Sequence, residues 1–367
     1  MTIRYVPELA DIVPYQPGLP IEAVQRRFGL DRVVKLASNE FPLTPFAEVQ
    51  EVITAALDGL QRYPDGFAVD LRAAAAGHYG LAPEQVTVGC GSCELLYLLT
   101  TALVDRGDEV LFAAPSFSCY EHATIIHGGV PVAVPVRDFG LDLDALAAAV
   151  TPRTKLAFVC NPNNPTGTYL PSAEVRRFVE AVPGDVLVVI DEAYIEFVTA
   201  DDRDGSLDLL HHHDNVVVLR TFSKIYGLCG LRTGLGLCPS HVREALDKVR
   251  QPFNVNLLGQ LAAIEALRHQ DQVAERRAAN ARLRRLLAER LAGQGRPTVA
   301  SQSNFMLVGI EGLAVPQEQV CGELLRRGVI VRDGNALGCP GWARVTVGTE
   351  DEIEFFLEKL AALETGA

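Results

Sequence analysis

Four short apolar runs, DEVLFAA (108–114), KLAFVC (155–160), DVLVVID (185–191) and NVVVLRT (215–221), recur about 25–45 residues apart with helical patterns between them. Runs this short and this continuously apolar read as strands covered on both faces. A parallel sheet with helical crossovers provides that cover. The expected fold is therefore α/β, with a large domain built on a mostly parallel sheet flanked by helices. Ligands of such sheets bind beyond the carboxyl ends of the strands. Chemistry is thus expected in the segments that follow the runs, namely PSFSCY, NPNNPTG, DEAY and FSK.

The 367 residues suffice for two or three structural units. The first 35 residues, rich in proline, read as an N-terminal arm. Residues 36–255 read as the large domain, and 256–367 as a smaller C-terminal α/β domain with strands in SNFMLVGI, GVIVRDG and ARVTVGT and a closing helix, DEIEFFLEKLAALE. Between them, residues 240–270 and 271–293 read as two long helices, the second with a broad charged face taken to be solvated.

The formal net charge of -13, with no block of Lys and Arg, argues against a nucleic-acid or anionic-membrane surface and points to a small-molecule partner. No apolar stretch is long enough to span a bilayer and the N-terminus lacks a signal-peptide pattern, so the expected location is the cytoplasm. The eight cysteines, several within apolar runs, read as reduced thiols. Cys90 and Cys93 form a C-x-x-C without a second pair at zinc spacing, and His211, His212 and His213 read as a solvated loop; no metal site is expected.

Lys224, in RTFSKIYGLCGLR (220–232), follows the fourth run. A lysine desolvated at a strand end can serve as a nucleophilic amine, as an aldehyde cofactor requires. Thr221, Ser223 and Arg232 supply hydroxyls and a guanidinium suited to a phosphate. The glycine turn GCGSCE (89–94) opens a helix whose free amide groups favour an anion. That turn lacks the third glycine of a dinucleotide fingerprint. Asp191, ending VLVVID, is a carboxylate in a partly dry place that calls for a cation, while Asn164 and Tyr194 can hydrogen-bond a phenolate. Phosphate, pyridinium, phenolate and aldehyde together describe pyridoxal 5′-phosphate.

With these residues assembled, the sequence resembles the fold-type I pyridoxal-phosphate aminotransferases, and within them the histidinol-phosphate aminotransferase group with its aromatic (phenylalanine-type) relatives. The resemblance runs through VPYQPG (13–18), KLASNE (35–40), RYPDG (62–66), GCGSCE, PSFSCY (115–120), NPNNPTG (161–167), DEAYIEF (191–197), RTFSKIYGLCGLR, SNF (303–305), VRDG (331–334) and RVTVGT (344–349). It implies that Lys224 carries the cofactor and shuttles a proton, that Asp191 holds the ring nitrogen protonated, and that Asn164 and Tyr194 bond the ring oxygen. It further implies phosphate binding by Gly91, Ser92, Thr221, Ser223 and Arg232, ring stacking by Phe117, and a substrate-anion clamp of Tyr15, Arg332 and Arg344. Tyr63 would reach the neighbouring subunit's cofactor, which implies a homodimer.

The reaction implied is amino transfer between histidinol phosphate or an aromatic amino acid and 2-oxoglutarate or glutamate. Two departures keep the donor open: GCGSCE stands where GNGSDE is usual in the histidinol-phosphate group, and Leu235 replaces a tyrosine after RTG. A decarboxylase of amino-acid phosphates with the same fold is the alternative. A regulator using such a domain for effector binding is disfavoured, because no basic recognition helix fits ahead of the cofactor domain.

Overall fold

A computed structural model describes residues 3–14 and 17–365 of the chain. Its strands are, in order, β1 (Val34–Lys35), β2 (Val86–Gly89), β3 (Glu109–Ala114), β4 (Val130–Pro135), β5 (Thr154–Cys160), β6 (Leu187–Asp191), β7 (Val216–Thr221), β8 (Gly234–Leu237), β9 (Phe305–Gly309), β10 (Val329–Ile330), β11 (Arg332–Asp333) and β12 (Trp342–Thr346). Seven of them make one sheet in the order β2-β8-β7-β6-β5-β3-β4. Strands β4, β3, β5, β6 and β7 run parallel, and β8 runs antiparallel to both its neighbours. The four apolar runs are thus β3, β5, β6 and β7. Val188, Val189 and Ile190 in β6 and Val216 to Leu219 in β7 are fully buried, because helices cover both faces.

Register aligns the strand ends. Cys160 lies opposite Asp191, Asp191 opposite Leu219, and Thr221 opposite Gly234, which also faces Gly89. The reversal at β8 therefore brings Arg232, just before that strand, and the Gly89–Ser92 turn, just after β2, to one edge of the sheet. Close approach is built in here: a Cβ on Gly234 would meet the backbone of Gly91 at 2.6 Å.

The smaller unit has an antiparallel sheet, β11-β12-β9, and a parallel pair, β1-β10. Its core joins Met306, Val308, Val345, Phe356 and Leu360 to Val34 and Leu36, so the end of the supposed arm belongs to this unit. The arm also holds a helix, Ile21–Phe28, whose Val24 packs on Ala37 and Ile330.

Three further expectations need correction. The predicted 240–270 helix is broken into Ser240–Val249 and Leu257–Arg268, with Pro252 between them, where a helix would lose a backbone donor. Leu257–Arg268, placed by sequence in the small domain, packs against the helices Ala47–Ala56 and Val69–Tyr79 within the large core. The helix Gln270–Gly293 then crosses between cores, with Val273 in the large one and Leu287 and Leu291 in the small one. Its charges are not all solvated. Arg276 is buried and donates to the carbonyls of Ile225 at 2.8 Å and Thr44 at 2.5 Å, and Arg284 donates to that of Ser303 at 2.9 Å. Arginine fits there because its fork satisfies backbone acceptors while its stem packs.

Beneath the strand ends, on the face of β6 opposite Asp191, a buried ion pair joins Arg220 to Glu192 at 2.6 Å, with Ser206 as a further donor to Glu192 and Glu196 3.8 Å from Arg220. Arg220→Met is expected to lower the unfolding free energy by about 3–5 kcal/mol, since the buried carboxylates would lose their cation. Urea denaturation against wild type measures it, and a change within about 0.5 kcal/mol would show the pair to be energetically idle.

Candidate active site

The segments after β3, β5, β6 and β7 converge on a cavity of about 200 Å³ lined by Ser92, Phe117, Asn164, Asp191, Tyr194, Thr221, Ser223, Lys224, Arg232 and Arg344. Three cations and one carboxylate face this space, so it suits a ligand with an anionic end, plus a cationic group beside Asp191.

Each side chain is held by identifiable partners. Lys224 sits just past β7, and its Nζ donates to the Ser38 carbonyl at 3.3 Å and lies 5.4 Å from the centre of the Tyr194 ring. Burial, and secondarily the nearby Arg344 cation, depress its pKa to about 8, so the neutral amine is present at mildly alkaline pH. Asp191 accepts a hydrogen bond from the Tyr120 hydroxyl at 2.7 Å, and burial raises its pKa against the opposing effect of that bond. The Tyr194 hydroxyl accepts from Asn39 Nδ2 at 3.0 Å, and burial holds this phenol well above its usual range.

At the opposite end Arg232 adopts left-handed backbone (φ 54°) and donates to Ser223 Oγ at 3.1 Å. Ser223 in turn donates its amide to Thr221 Oγ1 at 3.1 Å. Gly91, at φ 78°, precedes the helix Ser92–Leu103, whose first turn has no side-chain cap; a Cβ at Gly91 would strike the Arg232 guanidinium. Uncapped amides, two hydroxyls and a guanidinium meet here, a combination suited to an anion.

A second cavity of about 410 Å³ adjoins the first and shares Phe117, Asn164 and Arg344 with it; Ser118, Glu121, Arg332 and Leu337 also line it. Arg332 and Arg344 are register partners across β11 and β12, which sets both guanidiniums on one side of the small sheet. Arg344 is only 6% exposed and donates to Asn164 Oδ1 at 2.5 Å and to the Ala37 carbonyl at 2.6 Å.

Not every expected residue joins the cavities. Tyr63 is 82% exposed and stacks on Phe253 at 4.6 Å on the surface. Tyr15 lies outside the described residues. Leu235 is fully buried in β8, and neither it nor Cys90 lines either cavity. His211 and His212 are exposed in a turn, and the described residues contain no cluster able to hold a metal ion. Tyr120, in PSFSCY, and Asn39, in KLASNE, are site residues that the local sequence does not single out. Their signal was a polar side chain inside a recognised motif, but their partners lie 71 and 155 positions away.

In the cofactor-free protein, acylation of Lys224 is expected to reach half its limiting rate near pH 8, and Arg344→Gln to move that midpoint upward by removing a neighbouring cation. Peptide mapping across a pH series measures both, and a midpoint near 10.5 would mean that Nζ is in water.

Residues 31–360 match the model of the family described as aminotransferase class I and II. The chain is 43% identical to the histidinol-phosphate aminotransferase of Moorella thermoacetica, over 96% of this chain and 91% of that one. It is 45% identical to the protein of that name from Anaeromyxobacter, over 97% and 98%. The crystal structure of histidinol-phosphate aminotransferase from Sinorhizobium meliloti in complex with pyridoxal 5′-phosphate superposes with a TM-score of 0.91 at 29% identity, covering 100% of this chain and 99% of that one. With fold, motifs and full-length similarity in agreement, this chain belongs to the class I and II aminotransferases.

Proposed function

We propose that the protein is a pyridoxal 5′-phosphate enzyme that exchanges the amino group of histidinol phosphate with 2-oxoglutarate, giving the corresponding keto phosphate and glutamate. The observation that carries the donor assignment is the Arg332–Arg344 pair beside the larger cavity. Two guanidiniums suit a dianion, and both histidinol phosphate and 2-oxoglutarate carry two negative charges at neutral pH. An aromatic amino acid brings one carboxylate. The departures that kept the donor open lose their force with Cys90 and Leu235 away from the cavities. The relatives named above support transamination over decarboxylation.

The chain's residues fit the cofactor. The uncapped helix start with Ser92, Ser223 and Arg232 would hold its phosphate, Asp191 its ring nitrogen, Asn164 and Tyr194 its ring oxygen, and Phe117 a ring face. When bound, the cofactor supplies an aldehyde carbon for amine exchange and a ring that withdraws electrons from the substrate carbon. Lys224, neutral above about pH 8, can take the proton from the substrate carbon that bears the amine and return it elsewhere. Asp191, kept ionised by a cation and by Tyr120, holds the ring nitrogen's proton in place. Arg344, locked by Asn164 and Ala37, orients the substrate anion without further loss of side-chain freedom.

This reading extends to a cytoplasmic homodimer. No helix among the described residues is long and apolar enough to cross a membrane. The exposed cluster Leu57, Leu60, Tyr63, Phe67 and Phe253 supports burial against a second copy, with Tyr63 directed to the neighbouring site.

Glutamate formation from 2-oxoglutarate, with histidinol phosphate, phenylalanine or tyrosine supplied separately, tests the donor; faster reaction with either amino acid would overturn the assignment. Lys224→Ala should abolish turnover while circular dichroism stays unchanged. Arg344→Ala should cut kcat/KM for histidinol phosphate roughly 10- to 150-fold, the worth of one charge-assisted hydrogen bond, mostly through KM. An unchanged KM would remove Arg344 from substrate binding.

A further inference from the structure

Cys93, the second residue of the helix Ser92–Leu103, has its sulfur 3.6 Å from that of Cys119, the first residue of the helix Cys119–Ile126. The two helices pack together, and both thiols are free. The C-x-x-C spacing suggests Cys90 as the companion of Cys93, yet the sulfur contact is to a residue 26 positions away. Cys93 also lines the cofactor cavity beside Ser92, Asp191 and Arg232, whereas Cys119 lies behind it at 9% exposure. The two thiols differ in character. Cys93 sits in the amide-rich first turn of a twelve-residue helix and its thiol donates to the Cys119 sulfur; once Cys93 ionises the bond reverses, and donation from Cys119 favours the Cys93 thiolate while that bond and burial hold Cys119 protonated.

We propose that Cys93 and Cys119 are a peroxide-oxidised thiol pair that closes to a disulfide when the cofactor cavity is empty, and that closure disables the phosphate cradle. The second clause rests on the cofactor reading given above. The Cys93 thiolate attacks one oxygen of hydrogen peroxide, the O–O bond breaks, and hydroxide leaves, giving a sulfenic acid. Cys119 yields its proton to that hydroxide, and its sulfur attacks the Cys93 sulfur. The S–O bond breaks, and the departing hydroxide takes a proton from solvent. Two thiols and one peroxide become a disulfide and two waters.

The sulfurs must close by about 1.5 Å to reach bonding distance, a shift within reach of side-chain rotation and small helix movement. Cys93 shares the helix turn whose amides form the cradle, so drawing it toward Cys119 displaces those donors. A group filling the cavity covers Cys93 and shields it from peroxide. Cofactor binding and oxidation therefore exclude one another.

The test compares holoenzyme with the same enzyme stripped of cofactor, each exposed to hydrogen peroxide, quenched by alkylation and mapped by mass spectrometry. The stripped enzyme should yield a Cys93–Cys119 linked peptide, take up pyridoxal phosphate roughly tenfold less well, and recover with dithiothreitol. The holoenzyme should form the peptide at least roughly tenfold more slowly. Cys119→Ser should abolish the linked peptide and leave Cys93 as a dimedone-reactive sulfenic acid. Cys93→Ser should keep its cofactor uptake after peroxide. Oxidation of other cysteines without the linked peptide in the stripped wild type would overturn the thiol pair, as would equal rates with and without cofactor. If the peptide forms in a protein that never takes up pyridoxal phosphate, the oxidation site stands and the cofactor reading falls. If uptake is normal and peroxide leaves it unchanged, the cofactor reading stands and the claim on the cradle falls.

Discussion

The carboxyl end of β6 is the constraint on which the site depends. Two acidic residues follow one another there, and strand alternation sends them to opposite faces. Glu192 turns to the rear and is matched by Arg220 from the neighbouring strand. Asp191 turns to the cavity, where the Tyr120 hydroxyl donates to Oδ2 at 2.7 Å and the Ala193 amide to Oδ1 at 3.3 Å. A lone buried charge is costly, and two adjacent ones would be prohibitive without separate partners. The parallel neighbour β7 supplies Arg220 for one, and the helix Cys119–Ile126 that follows β3 supplies Tyr120 for the other.

Charge is then distributed along the cavity. Arg232 and the start of the helix Ser92–Leu103 make one end positive; Lys224 lines the same cavity, and Arg344 stands where it meets the larger one. Burial, with the Arg344 cation second, depresses the lysine, in an environment that favours anions throughout. The thiol pair sits at the same helix start, with Cys93 in its first turn.

The smaller unit is not an independent appendage. Residues 34–36 pair with β10 and pack in its core, while Arg344 of β12 bonds Asn164 from the large sheet and the Ala37 carbonyl. The helix Gln270–Gly293 contributes to both cores. The position of Arg344 beside the larger cavity is thereby coupled to how the two units are placed.

The order of apolar runs was sufficient to determine the parallel sheet, because strands buried on both faces must be apolar along their whole length. The glycine turn, the lysine motif and Asp191 were legible for a similar reason: each is a local backbone feature at a strand end. Tertiary structure alone decided the long-range pairs, Tyr120 with Asp191, Asn39 with Tyr194, and Cys93 with Cys119. It also moved the unit boundary into a continuous helix and turned Arg276 and Arg284 inward, since helical periodicity does not reveal which core a face will meet. Sequence determines what a segment prefers locally; which distant segment satisfies its polar atoms follows only from how the sheet's edge and the two cores are brought together.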